Sequence, residues 1–450
     1  MKKQLLASVV AGLGVVGSAH AVHVNPDGLG QVLLYPYYTV QDGYDTYVHV
    51  VNTTDSVKAV KVRFLEGKNS QEVLDFNLYL SPKDEWTGVI TRTDTGAKIA
   101  TADTSCTAPA IPASGVAFRN FRYTADSVNG SERTREGYLE IIEMGNLSGA
   151  VATAATHTSA GVPADCAVVR ADASTASGTL PATGGLYGFN TLINVEAGLS
   201  STVDAVALDD FWLAGSGSYT TTGSLSPSLE EGTPVADILE GNVVVNSAFP
   251  QNVDAVSAVL ARTNVINDYV VGLDFDALTD WVVTFPTKRF YVNGVGAPRA
   301  PFSEAWDTDV SRSCDEISIT YFDREEQREV GEDDFSPAPE ASTAALCNEV
   351  NTISIVGNGE TGGLLGAEFT AAQIELAPNF NAGWMDIGFN STAATTGLVG
   401  SGATVTGLPV IGFAATSFTN GTLEVGGVNV LSNYGGTSVH KGQRGITVAP

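Results

Sequence analysis

From Tyr44 to Ile90 the chain alternates between apolar and polar residues four times over, with a break between runs. In one run Val60, Val62 and Phe64 share a face opposite Ala59, Lys61 and Arg63; in the next, Leu74, Phe76, Leu78 and Leu80 oppose Asp75, Asn77 and Tyr79. Successive side chains of a strand point to opposite faces, so a period of two requires strands with one dry face and one wet one. The breaks at Asn52–Ser56, Glu66–Ser70 and Ser81–Asp84 are rich in Asn, Asp, Ser, Gly and Pro, the residues of turns. The pattern predicts an antiparallel meander whose dry face needs a second sheet to cover it. Lys61, Arg63, Asp75, Asn77 and Tyr79 are then an ordinary solvated surface.

The rest of the chain repeats this grammar: short alternating runs, frequent Gly turns and few helical patterns. That predicts an all-β, mostly antiparallel fold of one or two β-sandwiches. The exception is a helical insertion around residues 234–268. There Val235, Ile238 and Leu239 follow Pro234 at helical spacing. Val253, Val256, Val259 and Leu260 then share a face behind Asn252 or Asp254 as cap, so a pair of short helices is expected. A Pro-containing connection at Ala297–Asp309 divides the chain into a β-sandwich domain, 22–300, and a second β-rich region, 301–450, separate from the first or packed into it.

Lys2 and Lys3, the apolar run Leu5–Val16 and the small-x-small triplet Ala19-His20-Ala21 read as a signal peptide over 1–21. The mature chain then begins at Val22 and is exported to the cell surface or the extracellular space, with the periplasm as the other destination. No later stretch approaches the ~20 uninterrupted apolar residues of a spanning helix. Cys106, Cys166, Cys314 and Cys347 form an even set, expected as two disulfides in an exported protein. Three pairings exist; Cys106–Cys166 with Cys314–Cys347 is favoured because each closes a loop within one local region.

The formal net charge is −27, and loss of Lys2 and Lys3 with the leader leaves 50 acidic against 21 basic residues, a net −29. Such a field repels nucleic acid and anionic membranes. No catalytic residue is assigned, because there is no G-x-S-x-G elbow, no phosphate loop and little histidine. Two candidate sites remain. The acidic run Asp323–Asp334 holds seven carboxylates around Gly331, and Asp323, Glu332, Asp333 and Asp334 are the oxygens that a calcium ion would take. No cofactor is expected, with calcium at this run as the alternative. Asp209, Asp210 and Trp212 combine carboxylates with an aromatic plane, the chemistry of a glycan site; Tyr37 is a second aromatic of that kind.

Five phrases also carry a resemblance: NPDGLGQVLLYPYYTV, REGYLEIIEMG, TDWVVTFPTKRFYV, GLPVIGFAATSFTNGTL and SNYGG. Together they resemble a family of exported "cell surface" proteins of Gram-negative bacteria, a family that implies a location and no activity. The Tyr44–Ile90 stretch resembles exported immunoglobulin-like sandwiches, which implies fold alone. The expected function is that of a non-enzymatic surface or matrix protein, a structural subunit that assembles with itself. A carbohydrate-binding adhesin acting on surface glycans is the alternative, and a glycan-active enzyme comes third.

Overall fold

The computed structural model describes residues 20–173, 178–272, 276–328, 344–390 and 397–449. The fold is all-β, and its sheets are antiparallel apart from a parallel pairing of Val350–Val356 with Ala371–Glu375.

The first sandwich is built from nine principal strands: β1 Val32–Thr39, β2 Tyr44–Asn52, β3 Val57–Glu66, β4 Glu72–Leu80, β5 Glu85–Arg92, β6 Glu136–Leu147, β7 Leu186–Asn194, β8 Leu199–Asp204 and β9 Val206–Asp209. One sheet runs β9-β1-β6-β3-β4, with short strands at both edges; the other runs β8-β7-β2-β5 and ends in Ala97–Ala100 and Val116–Ala117. The dry residues read from the sequence meet between the sheets, where Val60, Val62, Phe64, Phe76 and Leu78 pack with Val48, Val50 and Trp86.

The Tyr44–Ile90 stretch is not a meander. Only β3 and β4 form a hairpin, while β2 and β5 pair with each other in the opposite sheet. The chain crosses between sheets at both flanking turns, and Asn52 ties the two crossings together. Its amide donates to Ser56 O (2.8 Å) and Ser81 O (2.7 Å).

The face expected to be wet is dry. Lys61, Arg63, Asn77 and Tyr79 are all under 2% exposed, because residues 219–228 lie across them. Asn77 Nδ2 donates to Thr220 O (2.9 Å), Lys61 Nζ to Thr221 O (3.4 Å), and the Tyr79 and Tyr219 hydroxyls meet at 2.7 Å. The charges survive burial because they are paired: Lys61 with Asp75 (2.9 Å), and Arg63 with both Glu72 (2.7 Å) and Glu140 (2.9 Å).

The second half begins with a hairpin, β10 Val235–Glu240 and β11 Val243–Ala248, followed by the helix Asn252–Leu260. So one of the two expected helices is a hairpin. Gly241 turns it at a positive φ of 59°, and the β-branched run Val243–Val245 suits a strand. The other helix is where it was expected. Gln251 is its N-cap, with Asp254 accepting the Gln251 N–H (3.3 Å).

Two further sheets use β12 Asn264–Val270, β13 Leu278–Thr284, β14 Asp315–Asp323, β15 Val350–Val356, β16 Ala382–Phe389, β17 Ile411–Val425 and β18 Val428–Val439. Their orders are β12-β16-β14 and β15-β13-β17-β18, each with one further short edge strand. Strands from both sides of residue 300 therefore share these sheets, so region 301–450 packs with strands that precede it. The halves are joined by a seam in which Tyr37, Tyr44 and Tyr138 pack against Val282, Val350 and Phe413. The disulfides are Cys106–Cys166 and Cys314–Cys347. The first ties the segment 149–172, which holds two short helices, to the edge of the first sandwich.

Candidate functional site

Trp212 is 4% exposed, stacks edge-on to Phe211 (4.9 Å) and donates its indole N–H to Glu143 O (2.7 Å). A sugar platform needs an open ring face, and this ring fills core. Tyr37 is likewise buried in the seam. Asp209 is partly buried, and that burial raises its carboxyl above the usual range, while Asp210 faces His20 (2.8 Å). The three residues are neighbours in space but do not frame a glycan site. Asp323 closes β14 and accepts the backbone N–H groups of Glu325 (2.9 Å) and Gln327 (2.7 Å). Glu332, Asp333 and Asp334 lie outside the described residues. Among the described residues no cluster of His, Cys, Asp or Glu is arranged to hold a metal.

Ser81, Asp84 and His157 come together beside a hollow of about 450 Å³. Ser81 Oγ lies 3.0 Å and Asp84 Oδ2 3.5 Å from the same ring nitrogen, Nδ1. A nucleophilic triad requires serine and carboxylate on opposite nitrogens. Ser81 Oγ also accepts the backbone N–H of His157 (2.7 Å), so the cluster pins a loop to the turn after β4.

A different place combines open space with two partly buried arginines. Two adjoining hollows, about 430 Å³ and about 180 Å³, share Val24, Val259 and Arg262. Together they form a cleft between the first sandwich, the β10–β11 hairpin, the helix Asn252–Leu260 and the base of the β17–β18 ribbon. Leu239, Val244, Val265 and Ile411 extend its apolar lining. Arg262 lines both hollows and Arg444 the larger one, together with Asp237, and Glu240 lines an adjoining hollow with the same two arginines.

Arg444 caps the C-terminal end of the helix, donating to Val259 O (2.7 Å) and Ala261 O (3.2 Å), where the helix dipole is negative. Arg262 donates to Ala261 O (3.1 Å). Among the described residues neither arginine forms an ion pair with a carboxylate, in a chain where acids outnumber bases two to one. Burial, then the neighbouring Arg262, pulls Arg444 down to about 9, and burial also lowers Arg262; Glu240 at the hairpin tip opposes both shifts. A guanidinium stays protonated at neutral pH, so these shifts record positive charge held partly out of water.

The third feature is the distal half of the β17–β18 ribbon. Register pairs Val425 with Val428 and Leu423 with Val430, which puts all four on one face. They are 41–63% exposed. The opposite face carries Glu424, the one charged residue between Thr419 and Tyr434. Nearer its base the ribbon is fixed to the first sandwich: Asn433 Nδ2 donates to Ala197 O (2.7 Å) and Thr437 Oγ1 to Thr202 O (2.6 Å).

Sequence reading assigned β17 and β18 no role, and it missed the cleft altogether. Arg262 and Arg444 are far apart in sequence, and the scarcity of basic residues was the one clue to them.

Comparison with protein-family models, with characterised proteins and with solved structures finds no match to this chain.

Proposed function

We propose that this is an exported, non-enzymatic β-sandwich protein of the cell surface or extracellular matrix that works by assembling with copies of itself. The observation that carries this reading is the β17–β18 tip. An isolated two-stranded ribbon is marginal in water, and flat exposed strands with aliphatic side chains are what a partner covers. The tip is also nearly uncharged, so it is a surface on which copies of a strongly acidic chain approach without repulsion. The two disulfides fit an oxidising compartment. No helix among the described residues is long and apolar enough to cross a membrane.

The test is sedimentation velocity on the mature chain, residues 22–450, over a wide concentration range, together with fractionation of the native cells. Concentration-dependent association and recovery in the surface or matrix fraction are expected. A strictly monomeric protein that is missing from those fractions overturns the reading.

A further inference from the structure

We propose that the tip of the β17–β18 ribbon of one molecule seats in the Arg262–Arg444 cleft of a second copy, so that molecules join head to tail. The inference rests on the self-assembly reading and names its partner surface.

The tip and the cleft are opposite ends of the same ribbon. Ile411 and Gly412, at the start of β17, and Val439, at the end of β18, line the cleft, whereas Leu423, Val425, Val428 and Val430 form the tip. Eleven residues separate Gly412 from Leu423 in sequence, roughly 35 Å at the rise of a strand. A rigid ribbon cannot fold back over that distance, so a tip seated in the cleft belongs to a second copy.

The chemistry of the two ends matches. One face of the tip is aliphatic, as is the lining of the cleft around Val24, Leu239, Val244 and Val259. The other face bears Glu424, and the cleft bears Arg262 and Arg444, which form no ion pair among the described residues although Asp237 and Glu240 lie in the same lining. Elsewhere the net charge of −27 opposes contact between copies; here an anion meets cations. A contact between two different surfaces is heterologous, and it yields an open filament unless the rotation per step closes a ring.

Two variants test the pairing. Glu424→Arg and Arg262→Glu are each expected to weaken association at least tenfold by sedimentation. Mixed in equal amounts they are expected to restore it, because the arginine tip of one variant fits the glutamate cleft of the other, and the remaining pairs are native. Restoration also shows that both variants are folded.

A cross-link gives an independent readout, since the described residues contain no unpaired cysteine. Val425→Cys combined with Val244→Cys is expected to give a ladder of dimers, trimers and larger species on a non-reducing gel, and Val425→Cys alone to give none. Several results overturn the inference while leaving self-assembly standing: wild-type association by Arg262→Glu, no restoration on mixing, or cross-linking by Val425→Cys alone, which means tip-to-tip pairing. A wild-type protein that never associates overturns both readings.

Discussion

Two buried acids show how single residues set the stability of this molecule. Glu349 is fully enclosed, and burial moves its carboxyl from an ordinary 4.5 up to about 8, against the pull of Lys288 and Arg289. The folded state therefore holds a proton that the unfolded chain releases. The stability linked to this group is fully present below the unfolded value and is lost as pH rises through the folded one. Wild type should lose stability relative to Glu349→Gln between about pH 5 and about pH 9, by a few kcal/mol at the upper end, measured by thermal melts across that range.

Glu140 is buried with Arg63 as its partner. Arg63→Met leaves Glu72 and Glu140 buried without that cation and is expected to cost about 3–5 kcal/mol in urea denaturation, with partial recovery in the double variant Arg63→Met, Glu140→Gln.

Among the elements, β3 and the β17–β18 ribbon are opposites. Every residue of β3 is buried, its inner face by the second sheet and its outer face by residues 219–228, so it serves as scaffold on both sides. The ribbon is packed at its base and exposed at its end. Replacing Thr422–Leu431 with a two-residue turn should change the unfolding free energy by less than about 1 kcal/mol, since the tip makes few packed contacts. The same change should abolish association. Equal loss of stability and association on calorimetry and sedimentation would show that the tip belongs to the core instead.

At the scale of the whole molecule, the two halves should unfold together. The seam of Tyr37, Tyr44, Val282 and Phe413 is apolar and closed, and it is reinforced by polar contacts. Thr284 Oγ1 donates to Pro36 O (2.7 Å), and the Glu136 carboxylate accepts Glu368 N–H (2.7 Å) and the Thr370 hydroxyl. Phe413→Ala is expected to cost about 3–5 kcal/mol and to shift one common transition. Two separate calorimetric peaks, with one unmoved by Phe413→Ala, would show that the halves are independent.

Alternation by itself determined that Val60, Val62, Phe64, Phe76 and Leu78 line a core, because a strand has two faces and hydrophobic residues leave water. The cysteine positions led to the observed pairing, because each pair already lay within one local region. The tertiary structure alone decided what covers the other face of β3. Lys61 and Arg63 read as solvated residues, since a charged face looks the same in sequence whether water or paired carboxylates satisfy it, and the covering segment arrives some 150 residues later. Trp212 belongs to the same class: an aromatic beside two acids suits a ligand or a core equally well until its neighbours are known. The cleft lies furthest from sequence, because its two arginines converge only after the chain has passed through both sandwiches.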